Sequence, residues 1–152
     1  MKSLANRQDY DEILRRLGAI GPASRRQWGR MTVAEMICHQ CDALKVAMGD
    51  RAAEPKKTWM SRAGMKWIAL RAPMQWPHGV QTAPECEAGA GGTPPAEMER
   101  DLGELRELLE RFARRPRDFE WQPHPMFGAM TDEEWLRWGY LHMDHHLRQF
   151  GA

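Results

Sequence analysis

Residues 131–151, TDEEWLRWGYLHMDHHLRQFG, decide how the rest of the chain is read. Thr131 followed three residues later by Glu134 is a capping box: the hydroxyl accepts from the backbone N–H of the third helical residue, and the glutamate reaches back to the cap. Gly151, just past Phe150, is a helix stop. The spacing predicts a helix from Thr131 to Phe150. On a wheel of about 100° per residue with His142 at zero, Trp135, Trp138, His146 and Gln149 fall within about 40° of it, and His145 lies about 60° to the other side. Asp144, Arg148, Arg137 and Tyr140 point the opposite way, as a solvated face would. The face with two tryptophans and the imidazoles is therefore expected to look inward, where each buried polar group needs a partner.

His142 and His146 stand at i and i+4, one turn apart, a spacing that lets two imidazoles grip one metal ion. Zinc and similar ions take three or four protein ligands, with one position open where chemistry follows. The third ligand has to come from another helix, and His39 is the best placed. It lies about 10 Å along its helix from Thr32, and the midpoint of His142 and His146 lies about 9 Å from Phe150. Antiparallel helices with matched ends bring the three histidines to one level, whereas parallel ones separate them by about 9 Å. Two plainer readings stay open: histidines hydrogen-bonded to one another and to Gln149 with no metal, or imidazoles near a helix C-terminus that interact only with its dipole.

Working outward, three further stretches carry helical periodicity. Arg7 to Leu17 places Tyr10, Ile13, Leu14 and Leu17 on one face before Gly18. Thr32 with Glu35 repeats the capping box, and Val33, Met36, Ile37 and Leu44 continue to a stop at Gly49. From Pro94 to about Arg114, acids come early and arginines late, the order a helix dipole favours, over a stripe of Leu102, Leu105, Leu108, Leu109 and Phe112. Residues 19–31 and 115–130 read as ordinary links. Residues 50–93 are longer than the common helix–helix connection, and Trp59 to Leu70 within them has room for a short extra helix. No two alternating runs are joined by a hairpin turn. The expected fold is all-α, a four-helix bundle in up-down-down-up order, with the long crossover between the second and third main helices making consecutive helices parallel.

Composition narrows the function. At 152 residues the chain suits one domain, 1–152, and a hydrophobic fraction of 42% supplies a core. Lys+Arg 22 against Asp+Glu 21 leaves a net charge of +1, which argues against a nucleic-acid binder. No apolar run approaches the ~18 residues that span a bilayer, and the polar N-terminus lacks a secretory pattern, so no membrane partner and a cytoplasmic location are expected. Three cysteines do not suggest a disulfide framework. Cys38 and Cys41 form a Cys-x-x-Cys in mid-helix without a βαβ context, which favours small core residues over a redox pair. There is no glycine-rich phosphate loop and no nucleophile elbow. His78, in QWPHGV, reads as a solvated loop residue.

A three-histidine ion with an open position acidifies a bound water, for hydrolysis, or a bound thiol, for group transfer. Hydrolysis also calls for a proton-moving group. Only His145 and His124 are candidates for such a catalytic role, and His124, between Pro123 and Pro125, reads more readily as a turn residue. No glutamate accompanies the pair as in His-Glu-x-x-His, so thiol-dependent transfer is favoured. The alternative class is a non-catalytic metal- or ligand-binding bundle. A small-molecule substrate is the expected partner, and the crossover is a surface through which a homodimer could form.

The segments WGRMTVAEMICHQCDAL and HPMFGAMTDEEWLRWGYLHMDHHLRQFG resemble the DinB-like superfamily of bacterial four-helix bundles, in a branch of unknown function. The resemblance implies the same bundle and a divalent ion, zinc or nickel, held at His39, His142 and His146. It also implies a low-molecular-weight thiol as a co-substrate class.

Overall fold

The computed structural model describes residues 1–55, 62–72, 74–80 and 82–152. It is helical: α1 (Arg7–Leu17), α2 (Val33–Met48), α3 (Arg62–Arg71), α4 (Met98–Ala113) and α5 (Asp132–Gln149), with a 3₁₀ turn at Pro84–Cys86. Among the described residues there is no strand, only isolated bridges between Ala88 and Gly92 and between His124 and Gly128. The all-α expectation stands.

Asn6, which the sequence reading did not single out, caps α1 by accepting from the Gln8 and Asp9 N–H groups. Thr32 and Thr131 both close complete capping boxes with Glu35 and Glu134. α2 stops at Gly49, whose φ of 86° is the left-handed conformation that a side chain would resist. α4 starts later than expected. Proline disfavours helical backbone in the residue before it, so Pro94-Pro95 stays extended. The Ala96 N–H is taken by the Asp101 carboxylate at 3.0 Å, and Glu97 becomes the cap. The extra helix in the crossover is α3; the part of that expectation covering 59–61 lies outside the described residues.

α2 and α5 are central. From Met36 to Leu44 every residue of α2 is buried. Gln40 Nε2 donates to the His142 carbonyl at 3.2 Å, while its Oε1 has no partner among the described residues. Asp42, fully buried, accepts from Thr93 N and Thr93 Oγ1, both at 2.7 Å, and from Arg51 Nη1 at 3.0 Å. That carboxylate pins the end of the crossover to α2. On α4 the stripe buries Leu102, Leu105, Leu109 and Phe112, with Leu108 only half-buried; each fully buried leucine contributes about 1.5–3 kcal/mol of hydrophobic stabilisation.

α5 has no solvated side, which corrects the expectation for Arg137, Tyr140, Asp144 and Arg148. α1 covers that face. Tyr140 is buried and its hydroxyl donates to Glu12 at 3.3 Å, while Arg16 Nη1 meets Asp144 at 2.7 Å. Charged residues there were mistaken for a water-facing surface because wheel position cannot distinguish water from a second helix that brings counter-charges. Partners on α1 and α5 rise together in number (Glu12 with Tyr140, Arg16 with Asp144), as do those on α2 and α4 (Cys38 with Asp101, Lys45 with Glu104). Along α2 and α5 they run in opposite order: His39 faces His142, while the Ala47 carbonyl receives the N–H of Gln122, ahead of α5.

Candidate metal centre

Because α2 and α5 run oppositely, the second turn of α2 lies level with the last turns of α5. His39, His142 and His146 each direct one ring nitrogen to a common region, these atoms lying within 4.8 Å of one another. The closest pair, His39 Nε2 and His142 Nε2, is 3.1 Å apart. Nitrogens about 2.0–2.1 Å from one ion are separated by about 3.0–3.4 Å at right-angled to tetrahedral spacing. One pair already meets that spacing, and a separation at the 4.8 Å limit needs a closure of about 1.4–1.8 Å.

Two of the rings are oriented from behind. His39 Nδ1 lies 3.1 Å from the Cys86 carbonyl, which can only accept, so Nδ1 carries the proton and the Nε2 lone pair turns inward. Gln149 Nε2 donates to the Trp28 carbonyl at 3.0 Å, which sets the amide so that Oε1 accepts from His146 Nδ1 at 2.8 Å. A carbonyl-type acceptor behind a ligating imidazole fixes its tautomer and raises its basicity, the usual outer support of a metal ligand. His142 Nδ1 is buried with no hydrogen-bond partner among the described residues.

Burial is the main cause that lowers the pKa of all three imidazoles. The neighbouring histidines push His142 and His146 down further, both well below the ordinary value, and the Cys86 carbonyl and Asp42 only partly oppose the effect at His39. The three are neutral near pH 7, the form that binds metal.

The triad opens on a cavity of about 780 Å³. Indoles dominate its wall: Trp138 stacks on His142 with centroids 4.7 Å apart, and Trp76, from the loop after α3, lies 6.1 Å from the same ring. No Asp or Glu is among the described lining residues. His145 lines the cavity 5.1 Å from the His146 ring, outside the triad. Burial, aided by Arg148 and His78, lowers its pKa to about 4, so it is neutral and weakly basic near pH 7.

His124 also reaches the cavity, but its Nδ1 accepts from the Met126 and Phe127 N–H groups at 3.1 and 3.3 Å. The turn reading therefore holds, and the ring presents its proton on Nε2. His78 is exposed on its loop, as expected, and its ring stacks on Trp28 at 3.9 Å. Cys38 and Cys41 are buried free thiols, Cys38 directed at Asp101. Sequence reasoning missed the Cys86 carbonyl, Trp28 and Trp76. A backbone acceptor leaves no side-chain signature, and the tryptophans sit in loops without periodicity.

The model of one protein family, described as Protein of unknown function (DUF1569), matches residues 2–152. The chain belongs to this family. No curated protein and no solved structure gives a significant match. The match corrects the resemblance to the DinB-like superfamily: the segments around His39 and His142 are accounted for within a DUF1569 model spanning nearly the whole chain, and no DinB-like match accompanies it. The family description names no activity, so the chemistry of this DUF1569 chain has to come from the site itself. No helix among the described residues is long and apolar enough to cross a membrane.

Proposed function

We propose that this chain holds one divalent ion, zinc or nickel, at His39, His142 and His146 and is a metal-dependent enzyme acting on a small molecule in the adjoining cavity. The observation that carries the reading is the triad itself: three neutral imidazoles, converging within 4.8 Å, two with acceptors fixing their outer nitrogens, at a cavity large enough for a substrate. The opposed pairing orders support an up-down-down-up four-helix bundle of α1, α2, α4 and α5 as its scaffold.

An ion there supplies Lewis acidity, lowering the pKa of a water or a thiol that enters beside it. The protein's own groups do the rest. Cys86 and Gln149 hold ring orientation, and the tryptophans exclude bulk water. Thiol-dependent group transfer is favoured over hydrolysis because no carboxylate among the described lining residues can serve as a base for water, and His145 is held weakly basic.

The test begins with elemental analysis of the purified protein beside His39→Ala and His142→Ala. One equivalent of metal in the wild type and a loss of at least tenfold in each variant are expected. Metal-loaded protein is then incubated with low-molecular-weight thiols and aromatic electrophiles, and separately with activated esters. Thiol consumption above the His142→Ala background supports transfer, ester cleavage alone moves the reading to hydrolysis, and bound metal with neither activity reduces it to a binding bundle. Absence of metal from wild type after loading overturns it.

A further inference from the structure

Away from the triad, the cavity wall holds polar atoms that the metal reading leaves unused. Trp28 Nε1 and His145 Nδ1 are buried without a hydrogen-bond partner among the described residues. The two rings meet edge to face with centroids 5.8 Å apart, and both line the cavity. An indole N–H can only donate, and His145 donates from Nδ1 in its Nδ1–H tautomer. Buried donors without acceptors are rare in folded proteins and mark places where a ligand or an ordered water completes the set. Arg30, two residues beyond Trp28, lines the same cavity and has no ion-pair partner among the described residues. It is also the only charged side chain other than the histidines among the described lining residues. The rest of the wall is mostly apolar, with indole, phenyl, thioether and aliphatic groups and the uncharged polar side chains of Gln75, Thr82 and Gln149.

A carbonyl oxygen would satisfy the two donors but would make no use of the positive charge of Arg30, which is exposed beside a wall without carboxylates. A carboxylate satisfies all three. We infer that the cavity takes a substrate with an aromatic or branched apolar body and one carboxylate, the carboxylate held by Trp28 Nε1, His145 and Arg30 while the body lies among Trp76, Trp138 and Phe127. This deepens the proposed function and rests on it only in that the same cavity opens on the triad.

The experiment measures equilibrium binding of 3-phenylpropionate and of its neutral counterpart 3-phenylpropanol by calorimetry. The protein is wild type, Arg30→Ala or Trp28→Phe, each zinc-loaded and again after chelation. The acid binds wild type at least tenfold more tightly than the alcohol. Each variant loses at least fivefold of the acid affinity and leaves the alcohol within twofold, in both metal states. Arg30→Ala is an exposed change, and Trp28→Phe keeps the ring while removing the N–H, so either variant suffices if the other misfolds. Equal binding of the two probes, no binding of either, or a preference that survives both substitutions overturns the inference. A preference that vanishes only on chelation places the carboxylate on the ion, which overturns the subsite and leaves the metal reading intact. An Arg30-dependent preference in a protein that takes up no metal does the reverse.

Discussion

Replacing Gln149 by leucine tests the orientation argument most directly. The side chain contacts no ligand nitrogen of the centre; it accepts from His146 Nδ1 at 2.8 Å and donates to the Trp28 carbonyl at 3.0 Å, and it is buried. Leucine fills similar space but leaves the His146 N–H without an acceptor. An unsatisfied buried donor costs about 1–3 kcal/mol of stability. Losing the support behind a ligating imidazole typically weakens metal binding about 10–100-fold, or about 1.4–2.7 kcal/mol.

Two separate measurements follow. Urea denaturation of chelated protein should show the midpoint falling by about 1 M, given a slope of about 1–3 kcal/mol per molar. Competition against a fluorescent zinc indicator at pH 7 should show the dissociation constant rising 10–100-fold. Gln149→Glu keeps an acceptor for His146 and should recover most of the affinity. A folded Gln149→Leu protein that binds zinc within twofold of wild type would refute the idea that Gln149 sets the ligand.

Gly29 has a φ of 80°, and a Cβ built on it would stand 2.5 Å from Gln149 Nε2; Gly29→Ala should therefore weaken zinc binding about tenfold and lower stability by about 1–2 kcal/mol, although residue 29 approaches no histidine of the triad. Burial, reinforced by Asp101, pushes the Cys38 thiol up to about 12, burial likewise raises that of Cys41, and Cys86 is buried too. Native protein at pH 8 should thus leave Cys38 and Cys41 unreacted with Ellman's reagent over minutes, with both reacting in guanidinium; rapid native labelling of either would contradict the packing. At Asp144, burial raises the pKa but the Arg16 and Arg148 guanidiniums outweigh it and hold the carboxyl below its ordinary value. Its contribution is present above about pH 4 and is lost as pH falls through the folded value. The urea-midpoint gap between wild type and Asp144→Asn should be constant from pH 8 to 5 and narrow below about pH 4; a gap that widens on acidification would be the contrary result.

The histidine pair on α5 and its level match with His39 were legible because helical geometry converts residue spacing into direction and height with little freedom. The caps of α2 and α5 were legible for a similar reason: a Thr at the right offset before a Glu satisfies backbone donors whatever the helix later packs against. The start of α4 was misread because Pro94 looks like a first-turn proline in isolation, whereas the Asp101 carboxylate takes the Ala96 N–H and holds that segment extended. The face of α5 bearing Arg137, Tyr140 and Asp144 differs from expectation because Tyr140 and Asp144 meet Glu12 and Arg16 of α1, some 128 positions away, while Arg137 donates to the Lys2 and Leu70 carbonyls.

By itself the sequence determined the all-α class, the helix boundaries set by local capping, and which residues could serve as ligands, since these depend on groups within a turn or two of one another. Only the tertiary structure decided that His39 faces His142, that a backbone carbonyl at Cys86 and the amide of Gln149 set the ring tautomers, and that loop tryptophans roof the triad. Those features join segments tens of residues apart through packing and backbone hydrogen bonds, and no local pattern of side chains encodes which distant carbonyl will arrive behind a given ring.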